Sequence, residues 1–170
     1  MSWHSEGQRK SKVFVLLLLA LIAFLTALRL ACGTLLYVNR TDSAPHGVYI
    51  PCTDQRLHAG DYVIVELPLD VPALRVKKGF PLLKQVQGFA GEAYEITEEA
   101  LIFKGGSYPI FHKNGLPQQE EGKYLVPEGK LLLLNEPDDS FDSRYLGVVD
   151  KKQVKKKVRL WISWEGWWRQ

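Results

Sequence analysis

The sequence predicts a mainly β, antiparallel domain carried behind one N-terminal transmembrane helix, and three observations predict it. Val13 to Leu28 is apolar at every position except Thr26, the signature of a spanning segment. Beyond Asn39 the apolar residues fall into short runs of strand length, separated by Gly, Pro and Asp clusters. No segment there sustains a 3.6-residue period, so strands rather than helices are expected to bury the core.

Composition narrows the function. With 170 residues, 46% apolar, the chain suits one domain around one core. Its net charge of +3 is too small to mark a nucleic-acid binder, and no nucleic-acid partner is expected. The charge is uneven: both ends are basic, whereas residues 13–150 hold 12 basic against 17 acidic side chains. Four scattered His and two Cys give neither a zinc-ligand spacing nor a disulfide framework, so no metal and no cofactor are expected.

The anchor comes first in chain order. At 1.5 Å per residue Val13–Leu28 reaches about 24 Å, and continuing to Leu36 gives about 36 Å, with Arg29 snorkelling at one interface. Arg9, Lys10 and Lys12 before it favour a cytoplasmic N-terminus. The expected organisation is therefore residues 1–12 in the cytoplasm, 13–38 as a single-pass anchor, and 39–170 as a domain on the far side, periplasmic or extracellular. A cleaved signal peptide would share the basic start and the apolar run, but Arg29 disrupts the cleavage region. Lipidation at Cys32 would want Leu where Arg29 stands, and pairing with Cys52 is opposed by the place of Cys32 at the expected membrane edge, so both are expected as free thiols.

The expected strands are Tyr62 to Val65, Pro81 to Val86, Leu131 to Leu134 and Val158 to Ile162. Turns between them are marked by Ala59-Gly60-Asp61, Lys104-Gly105-Gly106-Ser107, Lys113-Asn114-Gly115 and Pro127-Glu128-Gly129.

Three segments hold candidate chemistry. Asn39 to Tyr49 is by composition an ordinary turn before a strand, yet Ser43 lies only seven residues past Leu36, about 23 Å at full extension, so chemistry there would occur near a bilayer surface. In the second, Phe80 to Gly88, strand alternation puts Leu82, Lys84 and Val86 on one face. Lys84 then reads either as an edge-strand lysine whose head reaches water, or as a buried amine whose lowered pKa lets it activate a serine. The third, Leu134 to Gly147, is dense in polar groups. It reads as a loop of Asx turns in which Asp142 and Arg144 can pair and Ser140 can orient an amine; the Glu and Gly positions of an EF-hand calcium loop are missing.

Four motifs in order resemble the serine-lysine signal peptidase I superfamily, in particular its short conjugative-transfer branch, which matures pilin precursors. They are Thr41-Asp42-Ser43-Ala44-Pro45-His46-Gly47, Gly60-Asp61-Tyr62-Val63-Ile64-Val65, the stretch from Leu83 to Glu92, and Ser140-Phe141-Asp142-Ser143-Arg144-Tyr145-Leu146-Gly147. The resemblance implies a twisted, signal-peptidase-like antiparallel β domain. It implies Ser43 as nucleophile and Lys84 as general base, with the Thr41 hydroxyl and the Ser43 backbone N–H as oxyanion hole. Ser140 would hold the lysine amine while Asp142 and Arg144 brace the site. Two positions depart from the pattern: Gln85 stands where the family commonly has Arg, removing an expected ion pair with Asp142, and Glu92 replaces an Asp. The implied substrate is a secreted or pilin precursor, with the bilayer and conjugation machinery as further partners.

The rivals are a general leader peptidase, a Ser-His-Asp hydrolase using Ser43 with His46 or His58, and an anchored envelope subunit without activity. No Gly-x-Ser-x-Gly motif supports the hydrolase. The tail places Lys151, Lys152, Lys155, Lys156, Lys157 and Arg159 before Trp161, Trp164, Trp167 and Trp168. It reads as a last strand with Trp161 in the core, or as a tryptophan and lysine belt on lipid headgroups with the last three tryptophans on one side of a helical turn.

Overall fold

A computed structural model describes residues 3–164, and the chain divides after Leu35 into two units. The first is one helix, α1 (Trp3–Cys32). Its stretch Lys10–Ala27 is long and apolar enough to cross a membrane. Thr26, the polar residue within Val13–Leu28, is satisfied, since its hydroxyl donates to the Ile22 carbonyl at 2.8 Å. The helix does not continue to Leu36 as the hydropathy suggested. Gly33 turns into the left-handed region at φ 70° while its N–H bonds the Arg29 carbonyl at 2.8 Å, which closes the helix as glycine C-caps do.

The second unit is built of two antiparallel sheets. The larger contains β1 (Tyr37–Asn39), β2 (Gly47–Pro51), β3 (Tyr62–Glu66), β4 (Pro81–Gly88), β9 (Lys130–Leu133), β10 (Val149–Asp150) and β11 (Val154–Ser163), in the order β1-β2-β11-β3-β4-β9-β10. The smaller contains β5 (Ala93–Ile96), β6 (Ala100–Phe103), β7 (Gly106–Pro109) and β8 (Gly122–Leu125), in the order β7-β6-β5-β8. A short helix, α2 (Ser143–Leu146), sits between β9 and β10 in sequence. The mainly β, antiparallel expectation holds, and each expected strand lies within an observed one or overruns it by a single residue. The four glycine-marked turns fall where the sequence put them.

The unbroken apolar run at β9 has a packing reason. Leu131 and Leu133 join Val63, Val65, Val86 and Val149 in the core of the large sheet, while Leu132 and Leu134 join Tyr94, Ile96, Leu101 and Phe103 in the core of the small one. Side chains of one strand alternate in direction, so a strand buried on both sides carries no polar face. Two glycines permit close approach. A Cβ on Gly88 would lie 2.9 Å from Leu132 Cβ, and one on Gly47 would lie 2.2 Å from the Ile162 carbonyl oxygen.

At the chain's end, β11 pairs with both β2 and β3, with register shifts at Val154/Lys156 and Leu160/Ile162. Trp161 is not a core residue: it is 57% exposed, because the apolar anchor of this strand is Val158. The Trp164 N–H bonds the His46 carbonyl at 3.3 Å, and Trp167 and Trp168, with the helical turn expected of them, lie outside the described residues.

Candidate active site

Ser43 occupies the turn between β1 and β2, and Asn39 shapes that turn. The Asn39 amide donates to the carbonyls of Thr41 at 2.9 Å, Ala44 at 2.8 Å and Pro45 at 3.2 Å. Its side-chain oxygen accepts the Thr41 backbone N–H at 3.2 Å and the Thr41 hydroxyl at 2.8 Å. The Tyr49 hydroxyl also donates to the Pro45 carbonyl, at 2.8 Å. Thr41 thus spends its proton on Asn39, so in the 3.1 Å contact between Thr41 Oγ1 and Ser43 Oγ the serine is the donor.

Lys84 lies on β4 opposite Val63 of β3, and its burial rules out the reading in which its head reaches water. It is 4% exposed and shares a small cavity with Val65, Leu82, Leu133, Leu146 and Val149. Its Nζ donates to Ser140 Oγ at 2.9 Å. Burial pulls the amine down to about 8, against the attraction of Asp142 and Asp139, and the Arg144 charge adds to the lowering. Ser43 and Lys84 line one groove of about 320 Å³ with Thr41, Arg40, Phe80 and Leu83. They are not hydrogen-bonded to each other in this conformation: Ser43 faces Thr41, and Lys84 faces Ser140.

The loop before α2 carries Ser140 and is closed by Arg144, which is fully buried. Asp142 caps α2 by accepting the Arg144 backbone N–H, and its carboxylate takes Arg144 Nε at 2.9 Å and Nη2 at 2.8 Å. The other guanidinium donors go to the carbonyls of Asn135, Pro137 and Asp138, each at 2.9 Å. The expected Asp142–Arg144 pair therefore exists and holds the Ser140 loop shut.

The two departures from the motif pattern have local explanations. Glu92 accepts the Phe89 N–H at 2.8 Å and pairs with Lys104 at 2.6 Å, closing the turn between β4 and β5. Gln85 sends its side chain to the Gly60 carbonyl at 2.9 Å and its backbone N–H to Asn135 Oδ1 at 2.8 Å. Asp142 does not depend on Arg144 alone, because its second oxygen also accepts the Asn135 N–H at 3.0 Å. Asn39 and Asn135 were not singled out as site residues by their sequence, where an Asn near a turn is unremarkable. For Asn135, directly after a run of four leucines, the only signal was a polar residue ending a buried strand. Neither His46 nor His58 lines the groove that Ser43 shares with Lys84; His46 Nε2 lies 3.0 Å from Asp42, and His58 Nδ1 lies 3.5 Å from Asp61.

A serine on a tight turn and a buried lysine amine thus open onto one groove in a unit of antiparallel sheets. The chain matches the family described as signal peptidase, peptidase S26, over residues 9–164, and it belongs to that family. Two proteins called plasmid transfer protein TraF, both from Escherichia coli, are similar to it. One is 26% identical over 149 residues, covering 75% of this chain and 82% of its own length. The other is 26% identical over 166 residues, covering 84% and 93%. The crystal structure of a signal peptidase I from Enterococcus faecalis is similar at 21% identity and a TM-score of 0.41, over 63% of this chain and 100% of that one. The single N-terminal apolar helix fits a single-pass membrane anchor.

Proposed function

We propose that this chain is a membrane-anchored serine endopeptidase in which Ser43 is the nucleophile and Lys84 the general base, acting on a secreted or pilin precursor of a conjugative transfer system. One observation carries the reading: a lysine amine enclosed by Val65, Leu82 and Leu133, bonded to a serine hydroxyl and held near 8, opens onto the same groove as an accessible serine. Such an amine is neutral often enough near neutral pH to take a proton.

The reaction follows from that arrangement. Ser43 Oγ turns from Thr41 toward Lys84 and gives its proton to Nζ as it attacks the scissile carbonyl. Ser140 accepts an N–H of Lys84, which leaves the amine lone pair for Ser43. The Ser43 N–H and the Thr41 hydroxyl stabilise the oxyanion, so Thr41 must redirect its proton from Asn39. Collapse expels the amine leaving group, protonated by Lys84, and water attacks the acyl-enzyme with Lys84 again as base. An extended substrate has a short edge to join: Pro81–Lys84 pairs with β3 on one side and pairing with β9 begins only at Val86, although the Leu83 carbonyl is already taken by Asn135.

Residues 1–12 then remain cytoplasmic, the apolar part of α1 after them spans the inner membrane, and the unit after it works in the periplasm, where precursors held by their own apolar segments present their cleavage sites. The similarity to plasmid transfer proteins favours a transfer substrate over the general leader-peptidase role. The test is intact-mass analysis of the candidate pilin in cells carrying the wild-type chain, Ser43→Ala or Lys84→Ala. Each variant should leave the precursor unprocessed at unchanged protein abundance; processing by either variant overturns the dyad. Normal transfer with Ser43→Ala, where deletion of the whole chain abolishes it, would instead favour a non-catalytic subunit.

A further inference from the structure

We infer that Asn135 is a positioning residue: its carboxamide fixes the Ser43 backbone against the strand that carries Lys84, and turnover depends on that spacing. The inference rests on the Ser43 and Lys84 reading above. Asn135 is 2% exposed and follows directly on β9 and Leu134. Its side-chain oxygen accepts the Gln85 N–H at 2.8 Å, while its amide donates to the Leu83 carbonyl at 3.2 Å and to the Ser43 carbonyl. One planar group therefore grips the residue before Lys84, the residue after it, and the nucleophile 92 positions away in sequence. The Leu134 N–H adds a bond to the Gln85 carbonyl at 3.0 Å.

The backbone of Asn135 is fixed in turn. Its N–H bonds Asp142 at 3.0 Å and its carbonyl accepts Arg144 Nη2 at 2.9 Å. A continuous path thus runs from the buried Arg144–Asp142 pair through Asn135 to both halves of the proposed dyad. The chemistry of the contacts demands an amide, since the position needs two donors and one acceptor in a plane. Asp has the same shape but keeps only the acceptor and turns an anionic oxygen toward two carbonyls. Ala removes all three bonds. Because Asn135 is not among the groove residues, its loss should act on the approach of Ser43 to Lys84 rather than on substrate binding. A misplacement of about 1 Å between reacting groups costs on the order of 100-fold.

The experiment uses the full chain in detergent and a quenched fluorescent peptide carrying an Ala-x-Ala segment, as small-residue cleavage sites do. Wild type, Asn135→Asp, Asn135→Ala, Ser43→Ala and Lys84→Ala are assayed together, with rates normalised to the folded fraction by near-UV circular dichroism. We expect kcat to fall by about 30- to 100-fold in both Asn135 variants with KM changed less than about twofold, the pattern of lost orientation. The pH at which kcat/KM rises should stay in place for Asn135→Ala, because Lys84 itself is untouched. Asn135→Asp keeping more than half of wild-type kcat would show that shape suffices and would overturn the inference. Failure of both Asn135 variants to fold, or a loss confined to KM, would overturn it as well. Activity surviving in Ser43→Ala or Lys84→Ala would sink the dyad itself, an outcome separable from the behaviour of Asn135.

Discussion

Lys84 and Arg144 are both basic side chains buried in the fold, at 4% and 0% exposure, yet their surroundings treat the charge in opposite ways. Arg144 meets both oxygens of Asp142 and three backbone carbonyls, so its charge is compensated by hydrogen bonds at every nitrogen. Lys84 meets one hydroxyl, and its carboxylate neighbours Asp142 and Asp139 act only at a distance. Burial is common to the two; the partner decides the outcome. A buried charge with matched partners becomes a fixed strut, whereas one given a neutral acceptor loses its proton within reach of neutral pH.

The largest effect expected from this contrast comes from making the lysine resemble the arginine. Lys84→Arg should drop peptide cleavage to background, a loss on the order of 1,000-fold or more, because a guanidinium does not deprotonate in a protein. Retained turnover in that variant would break the comparison.

The converse change tests the strut. Arg144→Leu leaves Asp142 buried and unpaired and should destabilise the chain by about 3–5 kcal/mol, read as a lower denaturation midpoint. A variant as stable as wild type would show that the pair is dispensable for folding.

The smallest effect sharpens the sign. If Lys84 must be neutral to act, kcat/KM should climb about tenfold per unit below about 8 and level off above it. Stability should follow the same group. Its folded value near 8 lies under the unfolded value of about 10.4, so the unfolded chain holds the extra proton between the two and folding strengthens as pH rises through that window. Lys84→Met should therefore raise the melting temperature most at pH 7 and less near pH 10. A gain independent of pH would mean that the amine is not strained by burial.

How much of this was legible in sequence depended on the range of the signal. Strands showed because alternation and glycine turns are local, and the face shared by Leu82, Lys84 and Val86 followed from alternation alone. The Asp142–Arg144 pair lies two positions apart and was also readable. Asn135 was not, because its three side-chain contacts lie 50, 52 and 92 residues away, and no periodicity encodes a contact made by one amide. Asn39 escaped for a related reason: it reads as a generic turn residue, although its bonds set the turn that carries Ser43. The helix end at Cys32 was missed because hydropathy continues past Gly33 while backbone geometry does not. Of the two readings of the tail, the one that puts Trp161 in the core fails, because alternation along β11 gives that place to Val158.

The strand β9, with Leu131 and Leu133 in one core and Leu132 and Leu134 in the other, makes the two sheets mechanically inseparable. Pulling it out opens both interiors at once, so neither sheet has an intermediate of its own to visit and the unit after Leu35 should melt in a single cooperative step. Amide protons along Lys130–Leu133 would then exchange only through global opening. The loop that holds Ser140 and Asn135 follows directly on that strand, so its support should be among the last parts of the unit to open.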